Sequence, residues 1–113
     1  MIGPLATMAF TLEQLAKIIA ARARSDAANS YTKELLDAGV EKCAKKLGEE
    51  AVETTLAAVG GKPEALVAES ADLLYHLLVL LQARGIPLSD VLAELERRTA
   101  RSGLEEKASR GKG

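Results

Sequence analysis

The sequence predicts an all-α fold: about five helices in an antiparallel bundle completed by dimerisation. Three observations carry that expectation. The chain holds 20 Ala and 18 Leu against 6 Val and 4 Ile, with aromatics at 3%, a mixture that favours helix over β-branched strand. Apolar residues recur at helical spacing, and glycines stand where those patterns stop. At 113 residues the chain is long enough for one core that buries roughly two-thirds of its unfolded surface.

Thr11 with Gln14 three residues on makes a capping box, and Leu12, Leu15, Ile18 and Ile19 follow at helical spacing, so a first helix is expected over about 11–24. Ser30 caps a short second helix over 31–38 that stops at Gly39. The third runs from Val40 to Val59 and closes on Gly60 and Gly61. Pro63 suits the first turn of a fourth reaching Arg84, with Gly85 as its stop. Ser89 is the expected cap of a fifth through Arg101, ended by Gly103. Residues 1–10 read as a lead-in without the basic start of a signal peptide, 11–110 as one domain and 111–113 as a tail.

Composition narrows the function classes. Fifteen basic against 16 acidic side chains leave a net charge of −1, so nothing in the bulk balance draws the chain to nucleic acid or an anionic membrane. The most apolar stretch, 65–83, is interrupted by Glu69, Asp72 and His76, which argues against a membrane span. Cys43 is the single cysteine and His76 the single histidine. An intramolecular disulfide and a zinc cluster therefore both lack partners, and a cytoplasmic location fits.

The chemistry signal is carboxylate. On a wheel of about 100° per residue, Glu49, Glu53, Lys46 and Glu50 share an arc of about 100° on helix three, with Val40, Cys43, Ala44, Leu47, Ala51, Thr55 and Ala58 on what reads as its core face. Helix four carries Glu69, Asp72 and His76 on one stripe and is apolar almost everywhere else. A short Gly-rich turn makes the two helices antiparallel, so the acids converge. Like charges at this spacing repel by roughly 0.2 to 0.5 kcal/mol per pair. Hard oxygen donors without thiolate suit Mg²⁺, or Mn²⁺, and a phosphate-bearing co-ligand. Asp72, flanked by Ala71, Leu73 and Leu74, is expected to be a ligand and not a surface charge. The all-round apolar helix four predicts a dimer that buries Leu73 to Leu81.

The run E-E-x-x-E over 49–53 followed by E-x-x-D over 69–72 resembles the all-α nucleoside triphosphate pyrophosphohydrolases. Its flanks narrow the likeness: Ser30-Tyr31-Thr32, Lys46-Leu47-Gly48-Glu49-Glu50-Ala51, Ala71-Asp72-Leu73-Leu74-Tyr75-His76 and the 102–110 tail are similar to the phosphoribosyl-ATP pyrophosphohydrolase family. That resemblance covers about 12–110 and implies a stand-alone, Mg²⁺-dependent, homodimeric enzyme of histidine biosynthesis. Its reaction would take phosphoribosyl-ATP to phosphoribosyl-AMP and pyrophosphate. It implies metal ligation by Glu50, Glu53, Glu69 and Asp72, with Glu49 as an outer group or water activator beside Glu50 and Glu53. Candidate substrate contacts are Lys46, Ser30, Tyr31, Lys107 and Arg110, with Thr32, Arg97, Arg98 and Arg101 near them. Lys46 is equally well placed to pair with Glu49 or Glu50. His76 reads as a structural partner more than as a metal ligand. A related pyrophosphatase for canonical or damaged (d)NTPs keeps the same carboxylates, and a metal-free helical interaction module would not need them.

Overall fold

The computed structural model describes residues 9–25 and 30–100. Among these, five α-helices and no strand are present: α1 Leu12–Ala23, α2 Tyr31–Ala38, α3 Val40–Gly60, α4 Pro63–Ala83 and α5 Leu88–Thr99. The fold is all-α. Lys107, Arg110, Arg101 and the stop at Gly103 lie outside the described residues.

The end signals act as their chemistry requires. Thr11 Oγ1 accepts from the Gln14 amide at 3.1 Å while Gln14 Oε1 accepts from the Thr11 amide at 2.8 Å, so both halves of the capping box form. Ser30 Oγ accepts from the Lys33 amide at 3.2 Å. Helix α4 ends on Gly85 in the left-handed region, φ +69°, where the amides of Gly85 and Ile86 bond back to Gln82 and Leu81 at 3.0 and 2.9 Å, the two bonds of a Schellman close.

Helix α5 departs from expectation. It starts at Leu88 with Pro87 as its cap residue and no side-chain cap bond, and Ser89 is exposed. Leu88 packs against the core, and that burial sets the start two residues before the one a Ser89 cap would select. Ile86, Pro87 and Leu88 also wall an apolar groove of about 320 Å³ with Leu78, Leu81 and Ala16.

The core gathers at one end of the molecule. Ile19 of α1, Leu35 of α2, Cys43 of α3 and Leu78 and Val79 of α4 are buried together, and the Cys43 thiol donates to the Leu35 carbonyl at 3.3 Å. Helices α3 and α4 pair along an antiparallel hairpin that is the most extensive contact in the fold. The inward stripe of α3 is not the one the wheel selected. Cys43 and Glu50 are buried on it, with Lys46, Leu47, Ala51, Thr54 and Ala57 half-buried, whereas Val40, Ala44, Thr55 and Ala58 are exposed. Glu50 is therefore part of the packed face, with Glu49 and Glu53 exposed beside it, because α4 meets α3 on the side where its own carboxylates lie. Leu78 and Val79 are covered within the protomer, while Leu73, Leu77, Leu80 and Leu81 are half-buried and Leu74 is exposed.

Adjacent isoleucines on α1 provide a test of the core. Ile19 is buried and Ile18 is exposed. Ile19→Ala is expected to cost about 2 to 5 kcal/mol and Ile18→Ala under about 1 kcal/mol, read from urea midpoints at constant m.

Candidate functional site

The hairpin brings one residue of α3 and two of α4 to a single point. Carboxylate oxygens of Glu50, Glu69 and Asp72 lie within 4.8 Å of one another. Glu50 is 8% exposed, Glu69 is half-buried and Asp72 is exposed. The buried member is thus Glu50, and the neighbours Ala71 and Leu74 that made Asp72 look enclosed are themselves exposed. Glu53 stands on the exposed rim, near enough to act on the charge of Glu69.

The cluster is electrostatically unfinished. Glu69 Oε1 is buried and has no hydrogen-bond partner among the described residues. Burial first, then the charges of Glu53, Asp72 and Glu50, hold the Glu69 carboxyl above the usual range. A buried acceptor without a donor is costly, and three hard oxygen donors at this spacing fit a hard divalent cation. Those residues form an acidic cluster able to hold a metal ion.

Thr54 braces this point and was not legible in the sequence. Its hydroxyl is 2.7 Å from the Glu50 carbonyl on its own helix and 3.1 Å from the Glu69 carbonyl across the hairpin. A threonine one turn from an acid has no signature of such a bridge, since only the pairing of the two helices creates it.

Lys46 Nζ pairs with Glu49 Oε1 at 3.2 Å, and that bond, followed by Tyr31, the Glu49 charge and Glu50, raises the Lys46 pKa. Lys46 and Glu49 thus form an ion pair on α3 within about one turn of Glu50. Tyr31 is 47% exposed, and its hydroxyl lies 3.4 Å from His76 Nε2. His76 is buried, and its Nδ1 lies 2.9 Å from the Asp72 carbonyl. Thr32 is buried as well and bonds Tyr75 Oη at 2.5 Å, which turns it away from the role of a substrate contact that its position beside Tyr31 suggested. Ser30 Oγ is engaged as the α2 cap. Arg97 and Arg98 both bond Glu94, whose carboxyl they hold down at about 2.

Three quarters of the chain, residues 12–99, match the model of the family described as phosphoribosyl-ATP pyrophosphohydrolase. Curated relatives agree. The chain is 64% identical over 100 residues to the phosphoribosyl-ATP pyrophosphatase of Azorhizobium caulinodans, covering 88% of this chain and 92% of that protein. It is 61% identical to phosphoribosyl-ATP pyrophosphatase 1 of Bradyrhizobium diazoefficiens, covering 89% and 95%. Against the phosphoribosyl-ATP pyrophosphatase of Parvibaculum lavamentivorans, identity is 58% over 95% of this chain and 98% of the other.

The raised Glu69 carboxyl has a consequence for stability. A group whose folded pKa lies above its ordinary 4.5 stabilises the fold below that value and loses the contribution as pH rises through the folded one. In chelator, the melting temperature of the wild type is therefore expected to fall between pH 4.5 and neutrality relative to Glu69→Gln. Parallel melting curves for the two proteins across that range would contradict the clustering of charge.

Proposed function

The chain belongs to the phosphoribosyl-ATP pyrophosphohydrolase family, and from that footing we propose that it hydrolyses phosphoribosyl-ATP to phosphoribosyl-AMP and pyrophosphate with Mg²⁺, or Mn²⁺, as cofactor. Water adds across the anhydride between the α- and β-phosphorus atoms, and pyrophosphate leaves. The observation that carries the metal reading is the buried, unpartnered Glu69 oxygen inside the Glu50, Glu69 and Asp72 cluster. In this reading Glu50, Glu69 and Asp72 hold the ion, with Glu53 completing the set from the rim. Such an ion, when bound, offsets charge on the leaving pyrophosphate and lowers the pKa of an attacking water. Glu49, one residue from Glu50 and exposed, orients that water and accepts its proton. Lys46, tied to Glu49, exchanges this partner for a phosphate oxygen when the substrate enters. Lys107 and Arg110 supply further positive charge to the phosphates. Arg97 and Arg98 are paired with Glu94 and serve helix α5 instead.

We also propose that the working form is a homodimer. The far half of the hairpin exposes Val52, Leu56, Val59 and Val67, Val59 at 87% and Val67 at 69%. Exposed apolar side chains of this kind on two paired helices suit burial against a second copy. No helix among the described residues is long and apolar enough to cross a membrane, so this face does not belong to a helical span.

Product analysis with phosphoribosyl-ATP beside ATP and dNTPs tests the reaction: pyrophosphate released from phosphoribosyl-ATP and lost in chelator is the expected result. Equal turnover of dNTPs would favour the related pyrophosphatase acting on canonical or damaged (d)NTPs. Asp72→Asn is expected to lower activity by orders of magnitude while metal-free stability holds or rises; normal turnover in the folded variant would remove Asp72 from the site. Sedimentation at micromolar concentration should give a dimer for the wild type and a folded monomer for Leu56→Glu. A wild-type monomer under those conditions would overturn the homodimer.

A further inference from the structure

Two neighbouring residues of α2 are tied to two neighbouring residues of α4. Thr32 bonds Tyr75 at 2.5 Å and Tyr31 meets His76 at 3.4 Å. The rings interlock: Tyr31 lies nearly parallel to Tyr75 at 6.3 Å and 18°, and His76 stands edge-on to both, at 6.1 Å from Tyr31 and 4.9 Å from Tyr75. Edge-to-face and offset arrangements of this kind are the preferred aromatic geometries. The orientation of the Tyr31 ring is therefore fixed before any substrate arrives, although nearly half of its surface is open.

The polarity of the chain of bonds follows from its first member. The Asp72 carbonyl can only accept, so the bond at 2.9 Å places a proton on His76 Nδ1. In the neutral ring Nε2 then carries the lone pair, and the Tyr31 hydroxyl must donate to it. A phenol has one proton. With that proton committed to His76, the hydroxyl presents only acceptor capacity outward, on the exposed side of the ring.

We propose that His76 is a positioning residue that acts through Tyr31, setting the Tyr31 hydroxyl as an acceptor for a hydrogen-bond donor of the substrate. A sugar hydroxyl or a base amino group meets that requirement. A phosphate oxygen, itself an acceptor, does not. This inference rests on the hydrolysis of phosphoribosyl-ATP proposed above and assigns the Tyr31 side of the site to the nucleoside part of the substrate, leaving the phosphates to Lys46 and the carboxylate cluster.

The test uses the full chain, with wild-type turnover of phosphoribosyl-ATP as its reference; absence of that turnover would fail the functional reading and not this one. Tyr31→Phe keeps the ring and removes the hydroxyl, and it should raise KM about tenfold, the equivalent of one ordinary hydrogen bond, with kcat little changed. His76→Asn retains a donor where Nδ1 sits but offers Tyr31 no acceptor, and it should match Tyr31→Phe. His76→Gln offers an acceptor where Nε2 sits and should stay near wild type. The double variant Tyr31→Phe/His76→Asn should be no worse than either single, since one contact is lost in all three. Inhibition by inorganic pyrophosphate, which has neither a sugar hydroxyl nor a base amino group, should be unchanged throughout. The proposal is overturned by an unaltered KM in Tyr31→Phe, by Asn outperforming Gln at position 76, by additive losses in the double variant, or by pyrophosphate inhibition that weakens in step with KM.

Discussion

Like charge held inside a helix interface is the constraint on which the structure turns. Pairing α3 with α4 buries Glu50 and leaves a Glu69 oxygen without a donor, an arrangement that opposes folding unless the rest of the chain offsets it. The offset comes from the other end of the hairpin, where Cys43, Leu78 and Val79 join α1 and α2 in the apolar core. Thr54 bridges the two helices through main-chain carbonyls at the level of the acids, so the register that brings the carboxylates together does not depend on the carboxylates attracting one another. Stability is concentrated in one half of the hairpin and charge in the middle.

That division explains the layout around the site. Helix α2 is short, eight residues, and would be marginal alone. It is held by its Ser30 cap, by Leu35 in the core and by the Thr32 and Tyr31 bonds to α4. Those bonds set an open aromatic ring against His76, whose Nδ1 meets the main-chain carbonyl of Asp72. A cluster of carboxylates serves a phosphoanhydride through its cation, whereas the ring and hydroxyl of Tyr31 are suited to neutral groups of a substrate. On the function proposed, the two kinds of recognition come from different helices that both pack on α4.

Most of the helical frame was legible because helix ends have local causes: the Thr11 box, the Ser30 cap and the stops at Gly39, Gly61 and Gly85 all depend on residues within a turn of one another. The start of α5 was not, since it is set by burial of Leu88 and not by the hydroxyl of Ser89. The acids were visible as a group from their spacing, but the wheel placed them all on the outward face when Glu50 is buried at the α3–α4 seam. Periodicity separates polar from apolar faces, and it misreads a helix whose partner brings carboxylates to the same seam. For that reason Asp72 looked like the enclosed member, while the structure gives that place to Glu50. The bonds that tie Thr32 to Tyr75 and Tyr31 to His76 span more than 40 residues, beyond the reach of any local pattern.

If burial of the Glu50 carboxylate is tolerated for the sake of a cation, thermal unfolding of Glu50→Gln beside the wild type will show it. Free of metal, the neutral variant should melt above the wild type, because burial of a carboxylate among carboxylates is relieved. With saturating Mg²⁺ the order should reverse, since only the wild type retains the full charge that binds the ion. A variant that melts below the wild type in chelator, or a Mg²⁺ response equal in the two proteins, would show that the Glu50 carboxylate serves no cation.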